Sequence, residues 1–411
     1  RKVWMEVTTD VVSSREFCPI PQFGSLAQGR YLVFCTWDRP ADKDLLADIG
    51  DAAHNNAVIV LYFARMPERK RRELATSSIR NRRSFVLIDE SLIVYLCGER
   101  DSRLPAMFKC SLPFTFAQPY TTTAGLVAPE MFYGRDYERE SIIDRMGSCF
   151  IYGGRQLGKT VLLRDVERRF HDAKLGRLAL WFDLKTRGIG YNRAIDDIWT
   201  LLASELKRVE VLPANVPPQT SVDRILEYVE AWLQAEKSRR LLLLLDEADR
   251  FLEIDSLTPS DRRQSSGFER VAKLKGLMDR TERRFKVVFA GLHNVQRTTR
   301  LANHPLAHYG EPLCIGPLLD RGEWREAKKL IEEPLGALGF RFESPDLVMR
   351  VIAQCNYYPS LVQLHCSHLL QHVRSGGARF DPQASPPYTL TSQHLEDAYH
   401  SRDLKKAIKD R

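Results

Sequence analysis

One stretch of the sequence has the residue types and spacing of a phosphate-binding loop. Residues 153–160 read GGRQLGKT and match the pattern GxxxxGK[ST]. Glycines let the backbone curl so that successive N–H groups converge on phosphate oxygens, and the start of a following helix adds partial positive charge. In this pattern Lys159 reaches the β- and γ-phosphates, and the Thr160 hydroxyl is a ligand of Mg²⁺. The residues predicted to bind ATP or ADP here are Gly153, Gly154, Arg155, Gln156, Leu157, Gly158, Lys159, Thr160 and Val161.

A second stretch supplies two adjacent carboxylates directly after five consecutive leucines. Asp246 and Glu247 follow residues 241–245, which read as a buried strand, and open α/β sheets bind ligands beyond the carboxyl ends of their strands. We expect Asp246 to hold Mg²⁺ and Glu247 to polarise the water that attacks the γ-phosphate. The alternative is that Glu247 only begins the next helix. With Asp249 the stretch also spells the helicase box DEAD, but no second motor domain follows, so we reject a helicase.

The next apolar segment, residues 286–290, leads into His293 and Asn294. A polar side chain at the tip of the strand that follows the acid pair can contact the γ-phosphate or the attacking water. We therefore predict that His293 or Asn294 senses the γ-phosphate. The alternative for His293 is a loop histidine without a role.

An α/β fold with a parallel sheet flanked by helices is needed to position these residues. The segment 178–182 suits a sheet with an extra strand inserted between the strands of the two motifs. The predicted strands are 149–152, 178–182, 241–245, 286–290 and 312–315, and the predicted helices are 159–173, 193–209, 221–235 and 267–281. Loops are predicted at 212–220 and 255–267.

The flanking sequence predicts three further parts around a core at 128–316. Residues 1–127 alternate strands (31–36, 57–63, 84–89 and a possible fourth at 92–96) with helices (42–54 and 67–80), which indicates a separate α/β domain of unknown role. Residues 112–130 read as a linker. Residues 317–376 form a helical lid with helices at 322–338, 344–355 and 360–373. Residues 377–411 begin a further segment with a helix from 392, and a winged helix is one interpretation of it.

Composition excludes several classes of protein. The 411 residues are 44% hydrophobic and 28% charged, which is ordinary globular usage. No apolar run approaches the length of a membrane span.

The eight cysteines stand singly, without a CxxC pair, which favours a reducing, cytoplasmic setting over a disulfide framework or a zinc ribbon. The net charge of +8 permits contact with nucleic acid. Because position 1 is not Met, we expect a fragment of a longer polypeptide.

Residues 132–138 read FYGRDYE and fit the pattern hhGRExE, with Asp136 in place of the first Glu. Together with residues 153–160, residues 241–247 and the segment NYYPSL at 356–361, this pattern resembles the STAND class of signal-transduction ATPases. That class is related to AAA+ and origin-recognition-type ATPases. The resemblance covers residues 131–373.

The resemblance implies an ATP-hydrolysing switch. It implies that Tyr133 and Arg135 line the adenine side of the site, and that Pro359 in the lid packs near the base. ADP would hold a closed state, and ATP with a trigger would favour an open state that forms a homo-oligomer or binds a partner protein, in bacterial defence or signalling. Many relatives have Arg where this chain has His293 and Asn294. A DNA-associated AAA+ initiator or loader is the alternative, and a scaffold that does not hydrolyse ATP is a third reading.

Overall fold

The computed structural model describes residues 2–10, 15–37, 42–50, 57–123, 125–217, 219–257, 267–291, 309–375 and 384–409. These residues form two compact units. The first unit combines Arg1–Gly134 with Pro317–Arg411, and the second unit is Arg135–Gly316. The predicted separation of residues 1–127 from the lid does not coincide with these units. Buried side chains from both segments share one hydrophobic cluster, which includes Leu112, Leu330 and Leu369.

The first unit begins with a sheet of four strands. These are β1 (Lys2–Thr8), β2 (Arg30–Thr36), β3 (Val58–Tyr62) and β4 (Phe85–Asp89), in the order β1-β2-β3-β4. The pairs β2–β3 and β3–β4 are parallel, which confirms the predicted α/β layer, whereas the unpredicted β1 is antiparallel to β2. The helices in this part are Asp42–Ile49, Glu68–Asn81, Glu90–Gly98 and Arg103–Ser111.

The possible fourth strand at residues 92–96 is wrong, because those residues lie within the helix Glu90–Gly98. Asp89 caps this helix, since its carboxylate accepts the N–H of Leu92 at 3.0 Å. Glu90 adds a negative charge in the first turn, where it interacts favourably with the positive end of the helix dipole. This cap outweighs the preference of the apolar run for a strand.

The second unit contains a five-stranded sheet in which every pairing is parallel. Its strands are β5 (Phe150–Gly153), β6 (Arg177–Asp183), β7 (Arg240–Asp246), β8 (Phe285–Gly291) and β9 (Leu313–Ile315), in the order β6-β7-β8-β5-β9. The predicted parallel sheet is confirmed. An extra strand does separate the strands of the two motifs, but it is β8, and the segment 178–182 lies in β6 at the edge.

Helices flank this sheet through apolar faces. Those described are Asp136–Ile143, Lys159–Phe170, Asp197–Arg208, Val222–Ala235, Asp249–Leu257 and Glu269–Arg280. Leu162, Leu163 and Val166 of the second helix are fully buried at helical spacing. The loop predicted at 255–267 starts too early, since the helix continues to Leu257. Asp255 is buried there. Its carboxylate accepts the N–H of Val271 at 3.0 Å, and this hydrogen bond compensates for the burial.

The rest of the first unit is mainly helical. Its helices are Trp324–Ala337, Pro345–Gln354, Pro359–Arg374, Ser392–His400 and Arg402–Lys409, so the three helices predicted between residues 322 and 373 are confirmed. Two short strands, β10 (Phe340–Phe342) and β11 (Tyr388–Leu390), pair in parallel. No helix among the described residues is both long enough and apolar enough to cross a bilayer.

Candidate nucleotide-binding site

The phosphate-binding loop connects the end of β5 at Gly153 to the helix that begins at Lys159. Gly158 precedes this helix with a φ of 93°, and Gln156 has a φ of 61°. Residues with a side chain rarely adopt a φ near 90°. The space around Gly158 would itself admit a Cβ. The curled backbone therefore requires a glycine at position 158 for its conformation.

Gly153 is required for a different reason, which is the close approach of β9. A Cβ at this position would lie 2.4 Å from the carbonyl oxygen of Ile315, its register partner in β9. A backbone oxygen within a sheet has little freedom to move away. The first glycine of the motif thus keeps the strand before the loop in the sheet.

We expect Gly153→Ala to lower the free energy of unfolding by about 1–3 kcal/mol, because the added methyl group overpacks the β5–β9 contact. Gly154→Ala is the matched control, since its Cβ would meet only the flexible side chain of Leu157, at 3.2 Å. Denaturation with urea would measure both variants. Equal stability of the two variants would contradict the argument.

The Lys159 side chain is buried at the centre of the loop. Its ammonium group donates to the carbonyl oxygens of Gly153 at 2.9 Å and Gly154 at 2.8 Å. Burial lowers the pKa of Lys159, and the nearby Glu247, Asp246 and Asp249 carboxylates oppose this shift. One cation and three carboxylates are therefore close enough to interact.

Asp246 ends β7 and is 1% exposed. Its Oδ1 accepts the N–H of Glu247 at 3.0 Å, whereas its buried Oδ2 has no hydrogen-bond partner among the described residues. Burial raises the pKa of Asp246 to about 6, although the Thr160 hydroxyl and the Glu247 amide lower it. A buried carboxylate oxygen without a partner is costly unless something positive binds it.

This environment fits Mg²⁺. The ion takes oxygen ligands, and in nucleotide sites it is bound by one or two protein groups together with phosphates and water. Asp246 Oδ2 and the neighbouring Thr160 hydroxyl are such oxygens. Among the described residues, no group of three or more His, Cys, Asp or Glu side chains could hold a metal ion without other ligands. The oxygens of Asp246 and Thr160 suit a Mg²⁺ ion that phosphates and water also bind.

Glu247 lies in the turn between β7 and the helix Asp249–Leu257. Its φ of 52° is in the left-handed region, which is unfavourable for a residue with a side chain and is common at functional sites. The next residue, Ala248, donates its N–H to Ala290 of β8 at 2.9 Å. The helix itself begins two residues later, at Asp249, so Glu247 precedes it, and its catalytic role stays a prediction.

Asp249 is a third carboxylate that we did not predict as part of the site. Its side chain packs on the backbone of Gly291, where a Cβ would come within 2.6 Å of Asp249 Oδ2. A side chain at position 291 would therefore force the Asp249 carboxylate to move. In the sequence, the only sign of this contact was a glycine directly after the apolar segment 286–290. It did not indicate that Asp249 was the residue in contact.

The remaining predicted residues fall in three places. Arg135 is buried in the second unit, 3.5 Å from the Glu138 carboxylate, and it donates to the backbone oxygens of Leu157 at 3.5 Å and of Gly316. Tyr133 and Pro359 belong to the first unit. His293 and Asn294 lie outside the described residues.

The two residues in the first unit have local partners. The Tyr133 hydroxyl donates to Glu333 at 2.9 Å, and the Arg15 guanidinium lies 3.5 Å from the centre of the Tyr133 ring. Pro359 is the first residue of its helix, where the fixed φ of proline is favourable. Their predicted contacts with the base stay predictions.

Comparison with solved structures finds similar proteins of low identity. The Orc1 protein of Aeropyrum pernix in complex with DNA is 17% identical, with a TM-score of 0.35 and coverage of 65% of each chain. Cdc6p of Pyrobaculum aerophilum is 16% identical, with a TM-score of 0.38 and coverage of 62% of this chain and 64% of that chain. The Orc2 protein of A. pernix, solved as ADPNP–ADP complexes, is 15% identical, with a TM-score of 0.43 and coverage of 67% and 70%.

This chain spans slightly less than two thirds of the length of the first two of these proteins. No curated protein sequence matches it. Residues 143–298 match the family model described as an AAA domain. That range contains the phosphate-binding loop, the Asp246–Glu247 pair and strands β5 to β8. The chain therefore contains a P-loop domain of the AAA type.

Proposed function

We propose that the second unit binds ATP with Mg²⁺ and hydrolyses it. The observation that carries this proposal is the unpartnered, buried Oδ2 of Asp246, which lies within electrostatic reach of Lys159 at the carboxyl end of a parallel sheet. A scaffold without a ligand would gain nothing from burying a carboxylate in this way. The AAA match of residues 143–298 supports the same conclusion.

Each residue of the site has a role in the proposed reaction. The loop N–H groups and the Lys159 ammonium bind the phosphates, and Asp246 and Thr160 would hold Mg²⁺. That ion would supply positive charge that stabilises the negative charge of the phosphates. Glu247 orients a water molecule and accepts its proton as the water oxygen bonds to the γ-phosphorus. The bond between that phosphorus and the β–γ bridging oxygen then breaks, releasing ADP and phosphate.

Arg135 acts as a positioning residue in this proposal, because its guanidinium binds the backbone at Leu157 inside the loop. Tyr133 and Pro359 are proposed to contact the base, as the STAND resemblance implies. His293 or Asn294 is proposed to sense the γ-phosphate.

We propose further that the nucleotide state controls conformation, so that the protein acts as a switch of the STAND type and assembles or binds a partner protein when ATP is bound. A ligand shifts a conformational equilibrium only through its different affinities for the two states. The AAA match does not single out this class, because DNA-associated initiators and loaders of the AAA+ type share the same core.

DNA association is therefore the second candidate function, and a cluster of arginines favours it. Arg177 and Arg240 begin neighbouring strands as register partners. Burial lowers the pKa of Arg240, and the nearby Arg145 and Arg177 lower it further, whereas the Asp144 carboxylate opposes the shift. Like charges brought together in this way suit a polyanion. Binding of duplex DNA that weakens steeply with salt would support this function.

Lys159→Ala tests nucleotide binding. We expect the dissociation constant for ATP in the presence of Mg²⁺ to rise roughly 30- to 100-fold, because a charge-assisted contact with the phosphates is lost. Fluorescence titration with a labelled ATP would measure it. The control is Lys174→Ala, which changes an exposed lysine in the short 3-10 helix Ala173–Leu175, beyond the end of the helix Lys159–Phe170. It should bind as the wild type does. Equal binding by all three proteins would refute the proposed site.

A further inference from the structure

The edge strand β1 exposes an unusual amount of apolar surface. Val3, Trp4, Met5 and Val7 are each between 41% and 44% exposed. Among the described residues, no strand pairs with the outer edge of β1. Long apolar edge strands offer free N–H and C=O groups to another chain, and natural proteins usually protect them. This strand therefore has the properties of an interaction surface.

The pairing of β1 with β2 determines which backbone groups of β1 are available. Lys2 lies opposite Thr36 in this antiparallel pair, and Thr9 continues the same register, donating its N–H to Gly29 at 2.9 Å. Hydrogen-bonded residues alternate along an antiparallel strand. Residues 3, 5, 7 and 9 therefore bond towards β2, and residues 2, 4, 6 and 8 point their N–H and C=O groups to the free edge.

The residues with free backbone groups also share one face of the sheet. Trp4 packs on this face against Phe34, with the ring centres 4.9 Å apart, and Lys2 forms an ion pair of 2.5 Å with Asp48 of the neighbouring helix. Glu6 lies two positions beyond Trp4 on the same face. The positive charge of Lys2 and the negative charge of Glu6 are thus placed symmetrically about Trp4.

A strand with this symmetry complements itself. When two copies pair antiparallel about a two-fold axis at Trp4, Lys2 of each copy lies opposite Glu6 of the other. The two Trp4 residues then face each other. A two-fold axis at position 2 or 6 would instead place like charges opposite each other, which is destabilising, and an axis at position 5 would place Glu6 opposite Trp4. Only the axis at Trp4 places opposite charges across the interface, where Glu6 of one copy joins the ion pair that Lys2 of the other copy already forms with its own Asp48.

We propose that a second copy of this chain binds the free edge of β1, antiparallel and centred on Trp4, so that the two four-stranded sheets become one continuous sheet. Each contact then occurs twice, as a two-fold interface requires. The self-complementary charges favour a second copy over an extended segment of another protein. The interface lies in the first unit, and it depends neither on nucleotide nor on the proposed hydrolysis.

Charge reversal tests this interface in the 411-residue chain. Glu6→Lys places two lysines opposite each other twice, and we expect it to weaken dimerisation roughly 10- to 30-fold. The triple variant Lys2→Glu/Glu6→Lys/Asp48→Lys restores opposite charges across the interface and between residues 2 and 48, and it should restore the dimer. Thr8→Lys is the matched control, since residue 8 lies opposite nothing within β1 in this register. Sedimentation over a range of protein concentrations would measure each dissociation constant.

The two single variants also test the register. An axis at position 5 would place Thr8 opposite Lys2, so Thr8→Lys would then weaken the dimer and Glu6→Lys would spare it. That result would overturn the proposed register, and a wild-type protein that stays monomeric would overturn the interface. The Lys159→Ala variant should dimerise as the wild type does, which separates this proposal from that of ATP hydrolysis.

Discussion

Replacing Glu247 by glutamine is expected to slow ATP hydrolysis roughly 100- to 10,000-fold, the contribution typical of a general base. The amide keeps the size of the side chain and the turn at its φ of 52°, but it does not accept a proton from water. ATP binding should change by less than about threefold, because Lys159, Asp246 and the loop are untouched. Single-turnover hydrolysis and equilibrium binding of ATP would measure the two effects separately.

Asp249→Asn is the informative control for that experiment. Asp249 is a further carboxylate near Lys159, besides Glu247 and Asp246, but its side chain packs on the backbone of Gly291. We expect this variant to retain most of the hydrolysis rate. If Asp249→Asn lost hydrolysis and Glu247→Gln did not, the role of general base would belong to Asp249. If neither variant were slower than a hydrolysing wild type, neither residue would be the general base, and only a wild type without hydrolysis would indicate a nucleotide-binding scaffold.

The local parts of the site were predictable because their patterns are short and continuous in sequence. Five leucines followed by an acid predict a buried parallel strand with a carboxylate at its end, and β7 does end at Asp246. The glycines and Lys159 predict the loop and the start of its helix in the same way. In each case one hydrophobic run and one turn determine the structure within about ten residues.

The features that depend on distant residues were not predictable. The position of β8 between β5 and β7 is a matter of strand order, and periodicity in one strand does not specify its neighbours. The packing of Asp249 on Gly291 joins two elements far apart in sequence. The same holds for the first unit, whose core combines side chains from both ends of the chain.

Replacing Asp246 by asparagine is expected to lower the rate of Mg²⁺-dependent hydrolysis about 1,000-fold and to stabilise the protein in the absence of nucleotide. The loss of rate follows because a neutral amide binds Mg²⁺ poorly, and the ion contributes several kcal/mol to the transition state. The gain in stability follows from burial, which raises the pKa of the Asp246 carboxyl from 3.8 to about 6. Opposite effects on activity and stability distinguish a functional carboxylate from a structural one.

The dependence on pH has a definite sign. Below about pH 4 the Asp246 carboxyl is protonated in both the folded and the unfolded protein. Between pH 4 and 6 only the unfolded chain loses the proton, so the folded protein loses stability, by about 3 kcal/mol in total. Above pH 6 both forms are ionised and the loss is constant. In Asp246→Asn this decline should disappear, leaving that variant about 1–3 kcal/mol more stable than the wild type at pH 8.

Asp183→Asn is the matched control, because Asp183 is the register partner of Asp246 in β6 and its carboxylate already accepts the Thr186 N–H at 2.8 Å and the Thr186 hydroxyl at 2.7 Å. It removes the same charge one strand away and should leave Mg²⁺-dependent hydrolysis largely intact.

Urea denaturation at several pH values and hydrolysis assays over a range of Mg²⁺ concentrations would measure all three proteins. If Asp246→Asn hydrolysed ATP at the wild-type rate, Asp246 would not be the magnesium ligand. If it were also less stable at pH 8, the unpartnered Oδ2 would be making a stabilising contact, and the argument from its burial would fail.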